Sequence, residues 1–548
     1  MTARAPSGHT DSFCRDRLPP RVLWPEMRYD RIPGLAYPAR LNCATELLDA
    51  MVRRGHGDDP VFHFPGGSWT YRELLERSNR IANVLVDDLG VVPGSRVLLR
   101  GPNNPMMAAC WFAVLKAGAV VVCTMPLLRP REICYTADRA QVTLALTDAR
   151  LDGDCRLGME RTGTGAPRNG TRVVCFGSDE PGSLETMMAR KPATFRNADT
   201  AADDVALIAF TSGTTGKGKG TMHFHRDVLA ICDCFPPHIL QATPDDIFSG
   251  SPPFAFTFGL GGLVLFPMRI GASALLLEQA SPPHLLQGIR EFGATVCFTA
   301  PTAYRAMLPL LGDEGVPTLR KCVSAGETLP ASTFEAWERA TGVRIIDGIG
   351  STEMLHIFIS ATPEEMRPGA TGKPVPGYEA RVVDEDGAEV PPNTIGRLAV
   401  RGPTGCRYLD DEERQRAYVQ NGWNLTGDSY LVDDDGYFVY QARTDDMIIS
   451  SGHNISGPEV ESVILEHPAV AECGVIGVPH EERGQVVKAF VVLREGHAPG
   501  PEMIKELQDH VKREIAPHKY PRQVEFIHRL PRTATGKLQR FLLREEGA

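Results

Sequence analysis

The feature that most constrains this chain is a run of small and basic residues that directly follows a short apolar segment. The apolar segment, residues 205–210 (VALIAF), has the composition of a buried strand. The run after it, residues 211–220 (TSGTTGKGKG), holds four glycines, four hydroxyl side chains and two lysines. Glycine lets backbone N–H groups approach a ligand, hydroxyl groups add donors, and lysine adds positive charge. The run therefore predicts a polyphosphate-binding loop, with a flexible surface loop as the alternative.

The order of residues in this run excludes the most common nucleotide-binding loop. That loop needs a glycine, four residues, and then Gly-Lys-Ser/Thr, whereas Gly216-Lys217 is followed here by Gly218. The run closely resembles the phosphate loop of the acyl-adenylate-forming superfamily, which includes acyl- and aryl-CoA ligases, adenylation domains and luciferases. Relatives usually have proline in place of Gly218. The resemblance implies that one set of residues binds the phosphates of ATP: Thr211, Ser212, Gly213, Thr214, Thr215, Gly216 and Lys219.

Bulk properties restrict the class of protein and its partners. The chain has 548 residues and a net charge of −10, which argues against nucleic acid or an anionic membrane as the main partner. The most apolar stretch, residues 258–277, is interrupted by Pro267 and Arg269 and is expected in the core. The N-terminal residues lack an apolar signal core, and the 13 cysteines show no paired CxxC spacing. We therefore expect a cytoplasmic protein with reduced thiols, as a monomer or a homodimer.

Hydrophobic periodicity alternates between helix and strand in the first part of the chain. Thr70 and Glu73 have the spacing of a capping box at the start of a helix. Residues 97–99 and 120–122 are strand candidates on either side of a helix at 106–117. This alternation predicts α/β layers around a largely parallel sheet.

The remaining segments suggest how the chain divides into domains. Residues 1–45 are expected to form an irregular arm, and residues 152–170, with five glycines, a loop or an edge excursion. Residues 381–442 are dense in Asp-Gly turns and short apolar runs, which predicts a β-rich subdomain. We predict an α/β protein with a large N-terminal domain (residues 1–442) of layered α/β subdomains plus the β-rich subdomain. A small, mobile C-terminal α/β domain (residues 443–548) follows it.

Two further stretches, SAGETLP at 324–330 and DGIGSTEMLHIF at 347–358, resemble superfamily motifs around the nucleotide. In the family, the glutamate equivalent to Glu353 coordinates Mg²⁺ on the phosphates, and the threonine equivalent to Thr352 contacts the α-phosphate. Mg²⁺ is a hard cation that prefers carboxylate and phosphate oxygens, so this role suits Glu353. The second stretch is reminiscent of benzoate- and 2-aminobenzoate-CoA ligases. The resemblance also implies nucleotide contacts for Ala325, Gly326, Glu327, Asp347, Gly348 and Ile349.

Motifs toward the C-terminus resemble the parts of the family that bind ribose and move. TGDS at 426–429 implies that Asp428 accepts from both ribose hydroxyls, because one carboxylate can serve two donors. The resemblance further implies that Arg443 contacts the ribose or a phosphate and that Asp445 is a hinge. It also implies that Gly452 lines part of the tunnel for the thiol of CoA. TGK at 535–537 resembles the C-terminal catalytic lysine motif, so Lys537 is the predicted catalytic lysine. Without that motif, a lysine there would be an ordinary surface charge.

An aromatic run at residues 252–260 coincides with the acyl-pocket motif of the superfamily. It carries Phe254 and Phe256, and the resemblance implies that these rings and Phe235 line an aryl pocket. Gly350 and His356 complete the predicted substrate contacts. Core packing is the alternative for the aromatic residues and for His356. A metal site at the His223 and His225 pair is not expected, because no Cys, Asp or Glu ligand set accompanies it.

The motifs together imply an ATP-dependent aryl-CoA ligase that uses Mg²⁺, with CoA as cosubstrate. A small aromatic carboxylate, of the 2-aminobenzoate, salicylate or benzoate type, becomes an acyl-adenylate and is then transferred to CoA. One alternative loads the adenylate onto a carrier-protein thiol instead. A second alternative is a non-catalytic nucleotide sensor on the same scaffold, against which Glu353, Asp428, Arg443 and Lys537 together argue.

Overall fold

The computed structural model describes residues 6–160, 170–211, 218–443, 446–450, 453–480, 483–515, 517–532 and 538–546. Several predicted site residues lie outside these ranges: Ser212, Gly213, Thr214, Thr215, Gly216, Asp445, Gly452 and Lys537.

The strands of the described chain, in order of sequence, begin and end as follows. They are β1 (Pro60–Phe64), β2 (Gly67–Thr70), β3 (Arg96–Arg100), β4 (Val120–Thr124), β5 (Leu144–Asp148), β6 (Arg172–Phe176), β7 (Val205–Phe210), β8 (Gly220–Phe224), β9 (Ile247–Gly250), β10 (Ser273–Leu275), β11 (Val296–Thr299), β12 (Lys321–Ser324), β13 (Ile345–Gly350), β14 (Ile357–Ser360), β15 (Lys373–Pro374), β16 (Glu379–Val383), β17 (Gly396–Arg401), β18 (Val419–Gln420), β19 (Trp423–Val432), β20 (Phe438–Arg443), β21 (Ile448–Ser450), β22 (His453–Ile455), β23 (Val470–His480), β24 (Gly484–Leu493) and β25 (Gln523–Phe526).

The α-helices of the described chain begin and end as follows. They are α1 (Phe13–Asp16), α2 (Ala50–Arg53), α3 (Tyr71–Asn83), α4 (Pro105–Lys116), α5 (Pro130–Arg139), α6 (Asp152–Glu160), α7 (Leu184–Met188), α8 (His225–Phe235), α9 (Thr257–Leu260), α10 (Phe266–Ile270), α11 (Pro282–Phe292), α12 (Pro301–Met307), α13 (Ala331–Thr341), α14 (Glu412–Tyr418), α15 (Gly457–Leu465), α16 (Pro501–Glu514) and α17 (Arg540–Glu546).

Two large sheets form the first part of the fold, as the α/β pattern predicts. One has six strands in the order β6-β5-β3-β4-β7-β8, parallel except for β8, which is antiparallel to β7. The other has nine strands in the order β15-β14-β13-β12-β11-β9-β10-β1-β2, parallel in its centre from β1 to β13. The central strands are apolar and buried, which suits a sheet covered on both faces.

Two smaller sheets follow. The β-rich subdomain pairs β16, β17, β19 and β18 in that order, with β20 beside β19. The C-terminal sheet pairs β22, β21, β24 and β23, with β25 parallel to β24 and helices α15 and α16 packed together. The predicted fold class is confirmed, whereas the domain boundary at residues 442–443 stays a prediction.

Local signals account well for helix α3. Thr70 accepts a hydrogen bond from the backbone N–H of Glu73, and the Glu73 carboxylate accepts one from the N–H of Thr70. The predicted capping box is therefore present.

One local expectation was wrong. Residues 152–160 form helix α6 rather than a loop, because Gly158 allows close packing: a Cβ there would lie 2.6 Å from the Cβ of Ile133 in α5. This close approach buries Cys155 and Met159. Of the His223 and His225 pair, His223 lies within β8 and His225 begins α8. Within the described ranges, no helix is long and apolar enough to cross a membrane.

Candidate active site

The two ends of the phosphate loop are held together by the β7–β8 hairpin. Phe210 pairs with Gly220, and the N–H of Thr211 donates to the carbonyl of Lys219 at 3.0 Å. The Tyr135 hydroxyl donates to the carbonyl of Gly218 at 2.9 Å. These contacts therefore fix the backbone of Lys219, the residue directly before β8.

Glu353, the predicted Mg²⁺ ligand, lies in a short 3₁₀ turn between β13 and β14. Its carboxylate is buried, and its Oε1 atom accepts a hydrogen bond from the hydroxyl of Tyr408 at 2.6 Å. In the described chain, no Lys, Arg or His forms an ion pair with Glu353. A buried carboxylate with no protein counter-charge is a suitable ligand for a hard cation.

The neighbouring Thr352 is held by a buried histidine. The Nε2 atom of His223 lies 2.8 Å from the carbonyl oxygen of Thr352, which can only accept, so Nε2 carries the proton. Burial lowers the pKa of His223 to about 4, so the imidazole is neutral. The other side of His223 faces Asp227, which forms a 2.7 Å ion pair with Arg407.

Asp428 and Arg443, the predicted ribose contacts, are brought together by the β19–β20 pairing. The two residues are direct partners in the register, and the guanidinium Nη1 of Arg443 donates to Asp428 Oδ1 at 3.0 Å. The same nitrogen donates to the carbonyl of Thr426 at 3.2 Å. We use the term phosphate side for Lys219, Glu353, Asp428 and Arg443 with their supporting residues Tyr408, His223, Asp227 and Arg407.

The predicted adenine contacts lie directly after β12 and within β13. Gly326 has a φ of +92°, a left-handed conformation that favours glycine. Burial raises the pKa of the Asp347 carboxyl to about 7. Gly348 and Ile349 pair with β14, so their backbone is fixed by the sheet.

Glu327 makes a contact that the sequence did not predict. The guanidinium of Arg532, in the C-terminal region, lies 3.2 Å from Glu327 Oε1 and 2.7 Å from Glu472 Oε2. Arg532 therefore ties the segment after β12 to the C-terminal sheet in this structure. Burial raises the pKa of Glu327.

His356 lies at the centre of a group of phenyl rings, three residues after Glu353. The ring centroids of its neighbours lie 4.5 to 6.4 Å away, and these neighbours are Phe235, Phe258, Phe266 and Phe298. The residue is 2% exposed, and neither ring nitrogen has a hydrogen-bond partner of good geometry among the described residues. Burial lowers its pKa to about 3, against the weaker opposing effect of a hydrogen bond with the Phe258 backbone, so the imidazole is neutral at physiological pH. We use the term aromatic side for His356 and these four phenylalanines.

Phe254 and Phe256 occupy a different position from the other predicted substrate contacts. They line a narrow cavity against β4 and β7, together with Trp111 and Cys123. Asn103 holds this turn, because its Oδ1 accepts from the N–H of Phe254 at 2.9 Å. The described ring contacts of His356 therefore include Phe235 but neither of these two. Gly350 adjoins His356, since a Cβ there would lie 2.7 Å from the His356 carbonyl oxygen.

Sequence reasoning missed several residues of the site. Tyr408, His223 and Arg532 contact predicted site residues that are far from them in the sequence. No local motif indicates those contacts. In the sequence, nothing distinguishes Phe266 and Phe298 from ordinary core residues. No three His, Cys, Asp or Glu side chains within the described chain cluster as a metal site of their own.

Comparison with known proteins agrees with the motifs. The AMP-binding enzyme family matches residues 49–407, and the AMP-binding enzyme C-terminal domain matches residues 459–537. Benzoate–CoA ligase of Thauera aromatica is 36% identical over 517 residues, which cover 93% of this chain and 97% of that protein. The 3-hydroxybenzoate–CoA ligase of Aromatoleum sp. (strain CIB) is 33% identical over 92% of this chain and 97% of that protein.

Solved structures give the same result for the fold. The anthranilate CoA ligase AuaEII, in complex with anthranoyl-AMP, superposes with a TM-score of 0.86 at 34% identity, covering 93% of this chain and 98% of that chain. A benzoate CoA ligase from Burkholderia xenovorans LB400 gives a TM-score of 0.84 at 33% identity, covering 92% and 100%. The predicted membership is confirmed: the chain belongs to the AMP-binding enzyme family, within the acyl-adenylate-forming superfamily.

Proposed function

We propose that this protein is an ATP-dependent aryl-CoA ligase whose acid is a small aromatic carboxylate with a polar ortho substituent. The observation that carries the proposal is the neutral imidazole of His356, enclosed by phenyl rings, with neither ring nitrogen in a hydrogen bond of good geometry in the described chain. Flat apolar walls suit a ring better than a long chain. A buried polar group without a partner costs free energy, which a substrate amino or hydroxyl group can recover by hydrogen bonding. The acid is therefore 2-aminobenzoate or its close analogue salicylate, with benzoate as a weaker substrate.

The first half-reaction joins the acid to the nucleotide. A carboxylate oxygen forms a bond to the α-phosphorus of ATP, the bond from that phosphorus to the bridging oxygen breaks, and pyrophosphate leaves. Such a reaction needs positioning and charge stabilisation rather than a protein nucleophile. Mg²⁺ bound with ATP neutralises phosphate charge, and Glu353 would hold it. Lys219 and the phosphate loop bind the leaving group, while Asp428 and Arg443 hold the ribose.

Lys537 completes the first half-reaction by neutralising the acid and the α-phosphate together. The second half-reaction needs the thiol of CoA at the position that Lys537 occupies in the first. The thiolate sulfur attacks the acyl carbon, a thioester forms, and AMP leaves with the electron pair. The C-terminal domain rotates about Asp445, so that Lys537 withdraws and Gly452 lines the path of the thiol. A hinge of few residues is a known way to absorb such motion.

The proposal is tested by pyrophosphate release from ATP with a panel of acids, with and without CoA. We expect release to require an acid, and thioester to accumulate only with CoA. The value of kcat/KM should be highest for 2-aminobenzoate or salicylate, lower for benzoate, and lowest for octanoate. An aliphatic acid as the best substrate would overturn the proposed acid class.

The same assay separates the two alternatives. Adenylate formation with no transfer to CoA would favour an enzyme that loads a carrier-protein thiol. Nucleotide binding without pyrophosphate release, for every acid of the panel, would favour a sensor.

A further inference from the structure

Tyr408 links two parts of the phosphate side that are far apart in the sequence. Its hydroxyl donates to Glu353 Oε1 at 2.6 Å, although the two residues are 55 positions apart. Tyr408 is 2% exposed, so water does not compete for this hydrogen bond. Hydrogen bonds to a charged acceptor are shorter and stronger than neutral ones.

The backbone around Tyr408 is attached to the strand that leaves the phosphate loop. The N–H of Met222 donates to the carbonyl of Arg407 at 2.8 Å, and the N–H of Leu409 donates to the carbonyl of Gly220 at 2.8 Å. Tyr408 thus stands beside β8, and the ammonium of Lys219 lies 5.9 Å from the centre of its ring. One side chain is therefore adjacent both to a predicted phosphate ligand and to the predicted cation ligand.

The position of the Tyr408 side chain is fixed on its other sides. Its backbone N–H donates to Gln415 Oε1 at 2.9 Å, and Gln415 Nε2 donates to the carbonyl of Cys406 at 3.0 Å. The ring of Tyr418 packs edge-on against the ring of Tyr408, with centroids 5.7 Å apart. A hydroxyl held in this way restricts the orientation of the carboxylate that it contacts.

We propose that Tyr408 is a positioning residue: its hydroxyl occupies Oε1 of Glu353, so that Oε2 would be the oxygen left to hold the Mg²⁺ of bound MgATP. The inference rests on the proposed function, because it assumes that Glu353 serves MgATP. Residues that hydrogen-bond to a metal ligand orient it, and their loss typically costs about 10- to 100-fold in metal affinity or activity.

The test compares Tyr408→Phe with Tyr71→Phe in the full-length protein. Tyr71 is a matched control, because it is fully buried and its hydroxyl donates to the carbonyl of Ala272 at 2.7 Å in another part of the fold. Binding of ATP, without acid or CoA, is titrated by calorimetry over a series of Mg²⁺ concentrations. Tyr408→Phe should raise the Mg²⁺ concentration for half-maximal binding by about 10- to 100-fold. Tyr71→Phe should leave it within about twofold of wild type.

Two further measurements separate positioning from general damage. AMP binding without Mg²⁺ should be unchanged in Tyr408→Phe, because Glu353 would act only through the cation. In a Glu353→Gln background, adding Tyr408→Phe should produce no further rise, because the two residues act as one unit.

Each remaining outcome decides against the inference. Equal Mg²⁺ requirements in Tyr408→Phe and Tyr71→Phe would overturn it while leaving the proposed function intact. Parallel losses of AMP and MgATP binding would show a purely structural role. ATP binding by the wild-type protein that is independent of Mg²⁺ would overturn the inference together with the assignment of Glu353.

Discussion

The phosphate side and the aromatic side of the site are built in opposite ways. On the phosphate side, Glu353 accepts from Tyr408 and Asp428 is paired with Arg443, so the carboxylates are held by the protein itself. On the aromatic side, His356 is surrounded by phenyl rings and forms no hydrogen bond of good geometry in the described chain. The phosphate side is thus held in place by contacts within the protein. The aromatic side instead holds one buried imidazole without a hydrogen bond of good geometry, which is the group that the proposed function assigns to the substrate.

The largest effect should come from breaking the buried ion pair that supports the phosphate side. Arg407 and Asp227 are both fully buried, with 2.7 Å between Arg407 Nη1 and Asp227 Oδ2. Arg407→Met leaves that carboxylate buried without its partner, which should lower the free energy of unfolding by about 3–5 kcal/mol. Chemical denaturation measures the change.

Arg416→Met is the control for this prediction, because Arg416 pairs with Glu412 on the exposed surface of α14. Its loss should change the free energy of unfolding by about 0.5 kcal/mol or less. Similar losses in the two variants would contradict the view that the phosphate side depends on buried charge pairing.

The next largest effect concerns the residue that should act on only one half-reaction. Lys537→Ala removes the positive charge predicted at the acid and the α-phosphate. It should slow aryl-adenylate formation by about 10²- to 10³-fold, and it should spare thioester formation from a supplied aryl-adenylate. Pyrophosphate release measures the first step and thioester yield the second. Lys512→Ala, on α16 of the same domain, is the control, and equal losses in both steps for Lys537→Ala would assign that lysine another role.

Particular residues show how much of this could be predicted from the sequence. The capped start of α3 was predictable, because the residues that determine it are adjacent in the chain. The phosphate loop stays a prediction, since residues 212–217 lie outside the described chain. The motifs also predicted Glu353, Asp428 and Arg443 as candidates, and the last two are in contact. In each case the signal is local or is carried by a recognisable motif.

The unpredicted features all depend on contacts between distant segments. Gly158 suggested a loop, but its lack of a side chain allows α6 to pack closely on Ile133. The contact of Tyr408 with Glu353 depends on the pairing of residues 407–409 with β8, which no local pattern encodes. The same reason explains why the sequence grouped Phe254 and Phe256 with His356, whereas the structure surrounds His356 with other rings.

A moderate effect is expected from removing the unsatisfied group on the aromatic side. His356→Phe keeps a flat ring but deletes both ring nitrogens. The kcat/KM ratio of 2-aminobenzoate to benzoate should fall, by at most about 200-fold, because a largely apolar pocket discriminates small groups only modestly. His63→Phe is the control. His63 lies on β1, in another part of the nine-stranded sheet, where it is half-buried beside Phe292. An unchanged ratio in His356→Phe would make His356 a core residue.

The smallest effects should come from two glycines that differ in what surrounds them. A Cβ at Gly261 would overlap Cδ2 of His356 and lie 3.2 Å from Cζ of Phe266, whereas a Cβ at Gly153 in α6 would meet nothing within 4 Å. Gly261→Ala should lower the free energy of unfolding by about 1 kcal/mol, because an added methyl group overpacks the site. Gly153→Ala should raise it by about 0.4–1 kcal/mol, because alanine restricts the unfolded chain without a clash.

The substrate preference of these two variants then tests what the aromatic side does. Because the clash at Gly261 falls on the imidazole, Gly261→Ala should shift the 2-aminobenzoate to benzoate ratio in the same direction as His356→Phe, by a smaller factor. Gly153→Ala should leave the ratio unchanged, since α6 packs on α5 and β5–β6 in the other large sheet. A stability loss in Gly261→Ala without any change in the ratio would mean that the position of His356 matters for packing alone. In that case the aromatic side would discriminate acids by shape, and residues other than His356 would recognise the ortho group.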